Sequence, residues 1–273
     1  MATNKSDKEL AFLRDLYVAT DWGERFAELV DEHVELPKKG NMLYVAAGTG
    51  AHALALAERA GDKVSLVCVD ESEESLELGR AKAVAVRADP EFRRAQLEAL
   101  GFEDDQFDLV VGDASLVAAE RLPEIVGEMV RVAAPGGTVA LTLPTASSFG
   151  EFFSVYWEAL RNTGITSHEH DVESLITELP TVSEIEALAG REGLDNVTSW
   201  TRIEEFDYAS GEEFLNAPLI TDFLLRGWLE SLPESTDQER VTKEIGRIID
   251  AERQDMDFAL SVKATLVVGR KAR

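Results

Sequence analysis

The stretch Leu43-Tyr44-Val45-Ala46-Ala47-Gly48-Thr49-Gly50, followed by AHALALAERAG over residues 51–61, decides the fold. A hydrophobic strand runs straight into a glycine-bearing turn and then into a helix. Gly48 and Gly50 lack a Cβ, so they tolerate positive φ and let another molecule lie against the main chain. The first amides of the following helix point unpaired N–H groups toward the same place. Taken alone, the turn favours a tight strand-to-helix connection over the approach of a nucleotide-like ligand, because the third glycine of GxGxxG is absent.

Downstream of this unit the strand-turn-helix pattern recurs. Gly61 is placed to cap the first helix, and VSLVCVD is a continuous apolar run, expected as a buried parallel strand over 64–69 ending in Asp70. Ser72 is a candidate N-cap for the helical stretch that Pro90 terminates. A short strand over 91–95, an acidic turn at Glu103-Asp104-Asp105 and a buried strand over 107–111 follow. Leu122–Val132 reads as a helix with Pro123 in its first turn. Pro135-Gly136 suits the central positions of a type II turn, leading to a fifth strand over 138–143. Upstream, Leu10, Leu13, Leu16 and Tyr17, then Phe26, Leu29, Val30 and Val34, recur at helical spacing over 8–35. One or two amphipathic helices are expected there, covering a sheet edge or a ligand cleft, before a turn at 37–41 and the first strand at 42–46.

This alternation predicts an α/β fold with a doubly wound, mostly parallel sheet. In such sheets ligands bind beyond the carboxyl ends of the strands. Those ends carry residues 46–50, Asp70, Gln96 with Leu97, and Gly112 with Asp113.

After Pro144 the pattern changes. Phe149, Phe152, Phe153, Tyr156 and Trp157 crowd one expected helix, and packing is favoured over a substrate pocket because aromatic stripes at helical spacing are usually core. A helix is expected over 169–178, a crossover helix over 182–192, a strand over 196–206, mostly helix over 211–256, and a last strand over 259–268 whose alternation suits an antiparallel partner. The expected organisation is an N-terminal helical cover (1–40), a core (41–145), a helical lid (146–181), and a C-terminal part of the sheet (182–273) with a helical insertion at about 209–257.

Composition narrows the function classes. At 273 residues and 45% hydrophobic content, the chain can bury one α/β core with an appended subdomain. No apolar run approaches the roughly 20 residues that span a bilayer, and the first residues are polar, so a cytoplasmic protein without a membrane partner is expected. Asp and Glu outnumber Lys and Arg 52 to 27, a net charge of −25, and no basic cluster offers a phosphate track, which argues against nucleic acid. The single Cys68 lies in a buried strand and reads as inert packing. His33, His52, His168 and His170 form no metal-ligand spacing, and no metal is expected.

The glycine turn after strand one, the acid after strand two, FEDDQFDLVV and the APGG turn together resemble the class I S-adenosylmethionine-dependent methyltransferases, most of all their small-molecule "type 11" branch. The motifs cover about 40–145, and the terminal strands extend the likeness to the C-terminus of a seven-stranded sheet. The resemblance implies S-adenosylmethionine as cofactor, with Ala46, Gly48 and Gly50 at its methionine portion and Asp70 on both ribose hydroxyls. It implies Glu71 beside the adenine, Gln96 and Leu97 at the adenine edge, and Gly112 beside the sulfonium. Two positions depart from the family: Tyr44 and Gln96 each stand where it has Asp. Tyr44 removes a carboxylate that would help hold the cofactor's ammonium end, whereas Gln96 can still accept through its amide oxygen.

The implied reaction is in-line methyl transfer to a small, partly apolar acceptor, in which positioning does most of the work. A base is needed only where the nucleophile must lose a proton, and no catalytic residue is nominated. Asp113, Tyr17, Trp22, His168 and His170 are pocket candidates for which surface or packing roles are preferred. A non-catalytic cofactor binder or scaffold of the same fold is the alternative. An NAD-dependent oxidoreductase is disfavoured by the missing third glycine and by APGG.

Overall fold

A computed structural model describes residues 5–232, 235–252 and 257–273. The part of the expected 211–256 helical region at 233–234 and 253–256 lies outside these residues. The N-terminal helices form one run: α1 (Asp7–Leu13), a π-helical segment (Arg14–Gly23) and α2 (Glu24–His33). Then come β1 (Gly40–Val45), α3 (Ala51–Ala60), β2 (Val64–Asp70), α4 (Glu73–Val86), β3 (Glu91–Arg94), β4 (Phe107–Asp113), α5 (Leu122–Val132) and β5 (Ala133–Pro144). The rest comprises α6 (Gly150–Thr163), α7 (Glu169–Glu178), α8 (Val182–Arg191), β6 (Leu194–Tyr208), α9 (Gly211–Asn216), α10 (Leu225–Trp228), α11 (Ser235–Glu252) and β7 (Phe258–Lys271).

The strands form one seven-stranded sheet in the order β3-β2-β1-β4-β5-β7-β6. Neighbours among β1 to β5 are parallel, with Tyr44 opposite Cys68 on one side and Val111 on the other. Ala272 N–H donates to the Gly193 carbonyl and Thr201 meets Thr265 through their hydroxyls, so the chain numbers run in opposite senses along β6 and β7. The sheet is therefore mixed, with an antiparallel edge. β1 sits near its middle, and Met42, Leu43, Tyr44 and Val45 are all buried, which is why this strand is uniformly apolar rather than alternating.

Two compact units divide the described chain: a core unit (5–143, 181–201 and 264–273) and a helical unit (144–180 and 202–263). In the core unit, α5 buries Leu122, Ile125, Val126, Met129 and Val130, the i, i+3, i+4, i+7, i+8 stripe of a helix lying on a sheet. Ser72 caps α4 by accepting from the Ser75 amide, and Gly61 caps α3 with φ +78°. In the helical unit the aromatic stripe of α6 is core. Phe152 stacks on Trp228 with ring centroids 4.2 Å apart and also meets Tyr156 and Phe214. Phe149, Phe153 and Tyr156 are buried with it.

The APGG turn lies inside a strand rather than before it. It belongs to β5, whose register against β4 jumps from Phe107↔Ala133 to Leu109↔Thr138. Gly136 keeps the positive φ (+78°) that the turn reading required, and a Cβ on Gly137 would lie 2.9 Å from the Phe107 carbonyl oxygen. The segment is thus a kink inside the strand, made by two glycines where the chains approach too closely for side chains.

Candidate functional site

Four elements of the core unit converge where β1, β2 and β4 end. Leaving β1, the backbone turns through Ala46 (φ +56°), Gly48 (φ +54°) and Gly50 (φ +75°). The first is costly for a residue with a Cβ and marks a turn held by its surroundings. Ala47 N–H donates to the Val69 carbonyl and Gly50 N–H to Ala47, both at 2.9 Å. At the end of β2, buried Asp70 accepts from Gly48 N–H on Oδ2 (2.7 Å) and from Ser72 N–H on Oδ1 (2.9 Å). Its carboxylate is therefore oriented by two backbone amides, and each oxygen retains a further acceptor direction.

The N-terminal π-helical segment reaches the loops after β1 and β4 and the helix α4. Arg14 lies against Gly48, its Cζ 3.2 Å from where a Cβ would stand. Asp15 accepts from the Thr49 hydroxyl (2.5 Å) and pairs with Lys82, and Lys82 also donates to Thr49 (3.1 Å). Trp22 is buried and donates from Nε1 to Ser115 Oγ (3.0 Å) in the loop after β4. Ser115 N–H in turn donates to Asp113 Oδ1 (3.0 Å). Extended π-helical segments are uncommon and are often found at functional sites. None of these partnerships had a sequence signal, because the partners lie far apart along the chain and match no motif.

Tyr44 anchors a second network. Its hydroxyl lies 2.8 Å from His52 Nδ1, His52 Nε2 lies 3.1 Å from Asp31 Oδ1, and Arg59 pairs with Asp31. The carboxylate of Asp31 can only accept, so in the neutral ring Nε2 carries the proton and Tyr44 donates to Nδ1. Burial pushes the Tyr44 phenol well above its ordinary value, and the charge of Asp113 adds to the effect, so Tyr44 is a neutral donor. Where the resemblance has a carboxylate, this chain has a hydroxyl held by a histidine.

The adenine-side candidates are arranged differently from one another. Arg121 holds Glu71 (3.1 and 2.8 Å) and Glu98 (2.5 and 2.9 Å) together. The hydrogen bond to Arg121 lowers Glu98, and the bonds to Glu98 and Glu71 raise Arg121. Gln96 is exposed and Leu97 is buried, in a turn where Ala99 N–H donates to the Gln96 carbonyl (3.1 Å). Gly112 is buried, and a Cβ there would lie 2.8 Å from Met129 Cε and 3.0 Å from Leu141 Cδ1. These side-chain approaches give glycine a packing reason at this position.

Of the pocket candidates, Tyr17 is exposed and Trp22 is buried. His168 pairs with Asp171 (2.6 Å) in the helical unit, where His170 is exposed. That unit contains two cavities of about 260 and 240 Å³, one bordered by Phe153, Trp157 and Ile176 and the other by Asp171 and Trp228. Both are smaller than the roughly 300–1,000 Å³ usual for small-molecule pockets. Among the described residues no group of three or more His, Cys, Asp or Glu could hold a metal ion, and no helix is long and apolar enough to cross a membrane.

The strand order, with β7 inserted between β5 and β6, differs from the usual 3-2-1-4-5-6 dinucleotide-binding sheet. Together with the glycine turn after β1 and the carboxylate after β2, it defines the class I methyltransferase fold. Residues 42–137, about a third of the chain, match the family described as "Methyltransferase domain". The chain is 33% identical over 122 residues to a demethylmenaquinone methyltransferase of Shouchella clausii, covering 43% of this chain and 52% of that protein. The chain thus spans about half the length of that curated relative. In structure it resembles YcgJ of Bacillus subtilis (TM-score 0.60, 18% identity, 92% of this chain and 99% of that one). It also resembles Haemonchus contortus phosphoethanolamine N-methyltransferase 2, solved with phosphomonomethylethanolamine and S-adenosylhomocysteine (TM-score 0.57, 15% identity, 99% of this chain and 59% of that one).

Proposed function

We propose that the protein is an S-adenosylmethionine-dependent methyltransferase acting on a small, partly apolar molecule in the cytoplasm. The observation that carries the proposal is Asp70: its carboxylate is held by the Gly48 and Ser72 amides, facing the glycine turn inside the segment that matches the family. A fixed acceptor at a strand end beside a turn of positive φ is what a ribose and an amino-acid chain require. Ala46, Gly48 and Gly50 would shape the backbone at the methionine portion, and Asp70 would accept from the ribose hydroxyls. Glu71, Gln96 and Leu97 would border the adenine, with Glu71 held in place by Arg121, and Gly112 would lie near the sulfonium.

The cofactor supplies an electrophilic methyl group, so the protein's task is alignment of the acceptor and exclusion of water. Trp22 and the ion pair of Asp15 with Lys82 tie the N-terminal segment to the strand ends and support that exclusion. Equilibrium binding of S-adenosylmethionine and S-adenosylhomocysteine, then transfer of a labelled methyl group to candidate acceptors, tests the proposal. Failure to bind either compound at millimolar concentration would overturn it. The Tyr44–His52 network, standing where the family has a carboxylate, favours one second reading, a non-catalytic binder. Cofactor binding without turnover across acceptors of varied chemistry is its signature.

A further inference from the structure

We infer that Arg14 reads the carboxylate of the bound cofactor and sets the protein's preference for a ligand with an intact amino-acid end. The inference rests on the S-adenosylmethionine reading above. Arg14 opens the π-helical segment, and its guanidinium lies over the glycine turn, with Cζ, Nε and Nη2 3.2, 3.3 and 3.4 Å from the Cβ position of Gly48. Its side chain is only 24% exposed, and its one charged approach is Nη1 to Asp70 Oδ2 at 3.9 Å, beyond hydrogen-bond distance. Among the described residues the guanidinium donates no hydrogen bond.

The neighbouring charges are differently placed. Asp15 is engaged by Thr49 and Lys82, and Lys82 by Asp15 and Thr49. Asp70 is already oriented by two amides. Among the described residues Arg14 is therefore the one cation at this turn that is mostly buried and has no protein hydrogen bond. Its donors are available to an incoming acceptor, and its planar fork matches a carboxylate in two parallel bonds. On the turn assigned to the methionine portion, the matching anion is the α-carboxylate. Asp70 keeps the cation in place until that carboxylate arrives.

The test compares S-adenosylmethionine with decarboxylated S-adenosylmethionine, which lacks only the carboxylate, by calorimetric titration of the full chain and of Arg14→Gln and Arg14→Lys. Arg14→Gln is expected to weaken S-adenosylmethionine by roughly 10- to 100-fold, to leave the decarboxylated ligand within about twofold, and so to abolish the preference. Arg14→Lys should recover part of it. An unchanged affinity of Arg14→Gln for S-adenosylmethionine overturns the inference. So does an equal loss for both ligands, which would mark Arg14 as a prop for the turn. If the unaltered protein binds neither ligand, the cofactor reading falls and takes this inference with it. Binding of both by the unaltered protein, with no change in the variants, removes the role of Arg14 alone.

Discussion

Replacing Tyr44 by Phe deletes a single oxygen from the centre of the core unit. The ring remains, so the packing of β1 against β2 and β4 is retained. What is lost is the 2.8 Å hydrogen bond to His52 Nδ1. The bond is worth about 0.5–1.5 kcal/mol net, and leaving the acceptor nitrogen of a mostly buried ring unsatisfied raises the cost to about 1–3 kcal/mol. His52 is 14% exposed at its side chain, which limits rescue by water. For a chain of this size each kcal/mol moves Tm by roughly 2–4 °C. Urea unfolding of the unaltered protein, Tyr44→Phe, His52→Gln and the double variant forms a cycle, with an expected coupling energy of about 1 kcal/mol. A coupling below about 0.3 kcal/mol would refute the claim that the hydroxyl and the ring stabilise one another. Tyr44→Asp is expected to destabilise more than Tyr44→Phe, because it also empties the space of the ring and asks a carboxylate to sit in the middle of a sheet.

Three further outcomes are expected. Gly112→Ala should cost about 1–3 kcal/mol, because the new methyl meets Met129 and Leu141 at 2.8–3.0 Å. Denaturant titration measures this, and a cost under about 0.5 kcal/mol would contradict the packing account. Glu128 is held below its ordinary 4.5 chiefly by its hydrogen bond to Arg131, with a further contribution from the Leu100 amide. A lowered folded-state pKa stabilises above the unfolded value and fades as pH falls through the folded one. Arg131→Met should therefore move the acid-unfolding midpoint to higher pH, and an unmoved midpoint would show the pair to be inconsequential. The Cys68 thiol is fully buried, and burial pushes its pKa up to about 12. A thiol reagent at pH 8 should leave it unmodified in the native protein and react fully in denaturant, and rapid native labelling would contradict this placement.

Much of the fold is legible in short-range patterns. Leu122–Val132 and Glu169–Glu178 have the limits that helical spacing implies, and Ser72 and Gly61 cap their helices as their residue types suggest. These features depend on residues a turn or two apart. Pro135 and Gly136 carry the local signal of a turn, and that signal does not distinguish a free turn from one built into a strand as a kink. What separates the two is the contact of Gly137 with the Phe107 carbonyl, from another strand. Gly112 shows the converse, for its missing side chain is accounted for by Met129 on α5 and Leu141 on β5.

At the candidate site the division is sharper. The octapeptide from Leu43 to Gly50 and the carboxylate of Asp70 mark a candidate ligand-binding strand end, because a glycine turn and an acid after successive parallel strands are local properties of the chain. That Tyr44 is a hydroxyl donor locked to His52 and Asp31, and that Arg14 lies over Gly48 with its hydrogen bonds unassigned, arises only when helices distant in sequence are brought to the same strand ends. A side chain's partner across 34 residues, as between Asp15 and Thr49, is set by packing rather than by periodicity. The partners of these side chains are for that reason invisible to any pattern read along the chain.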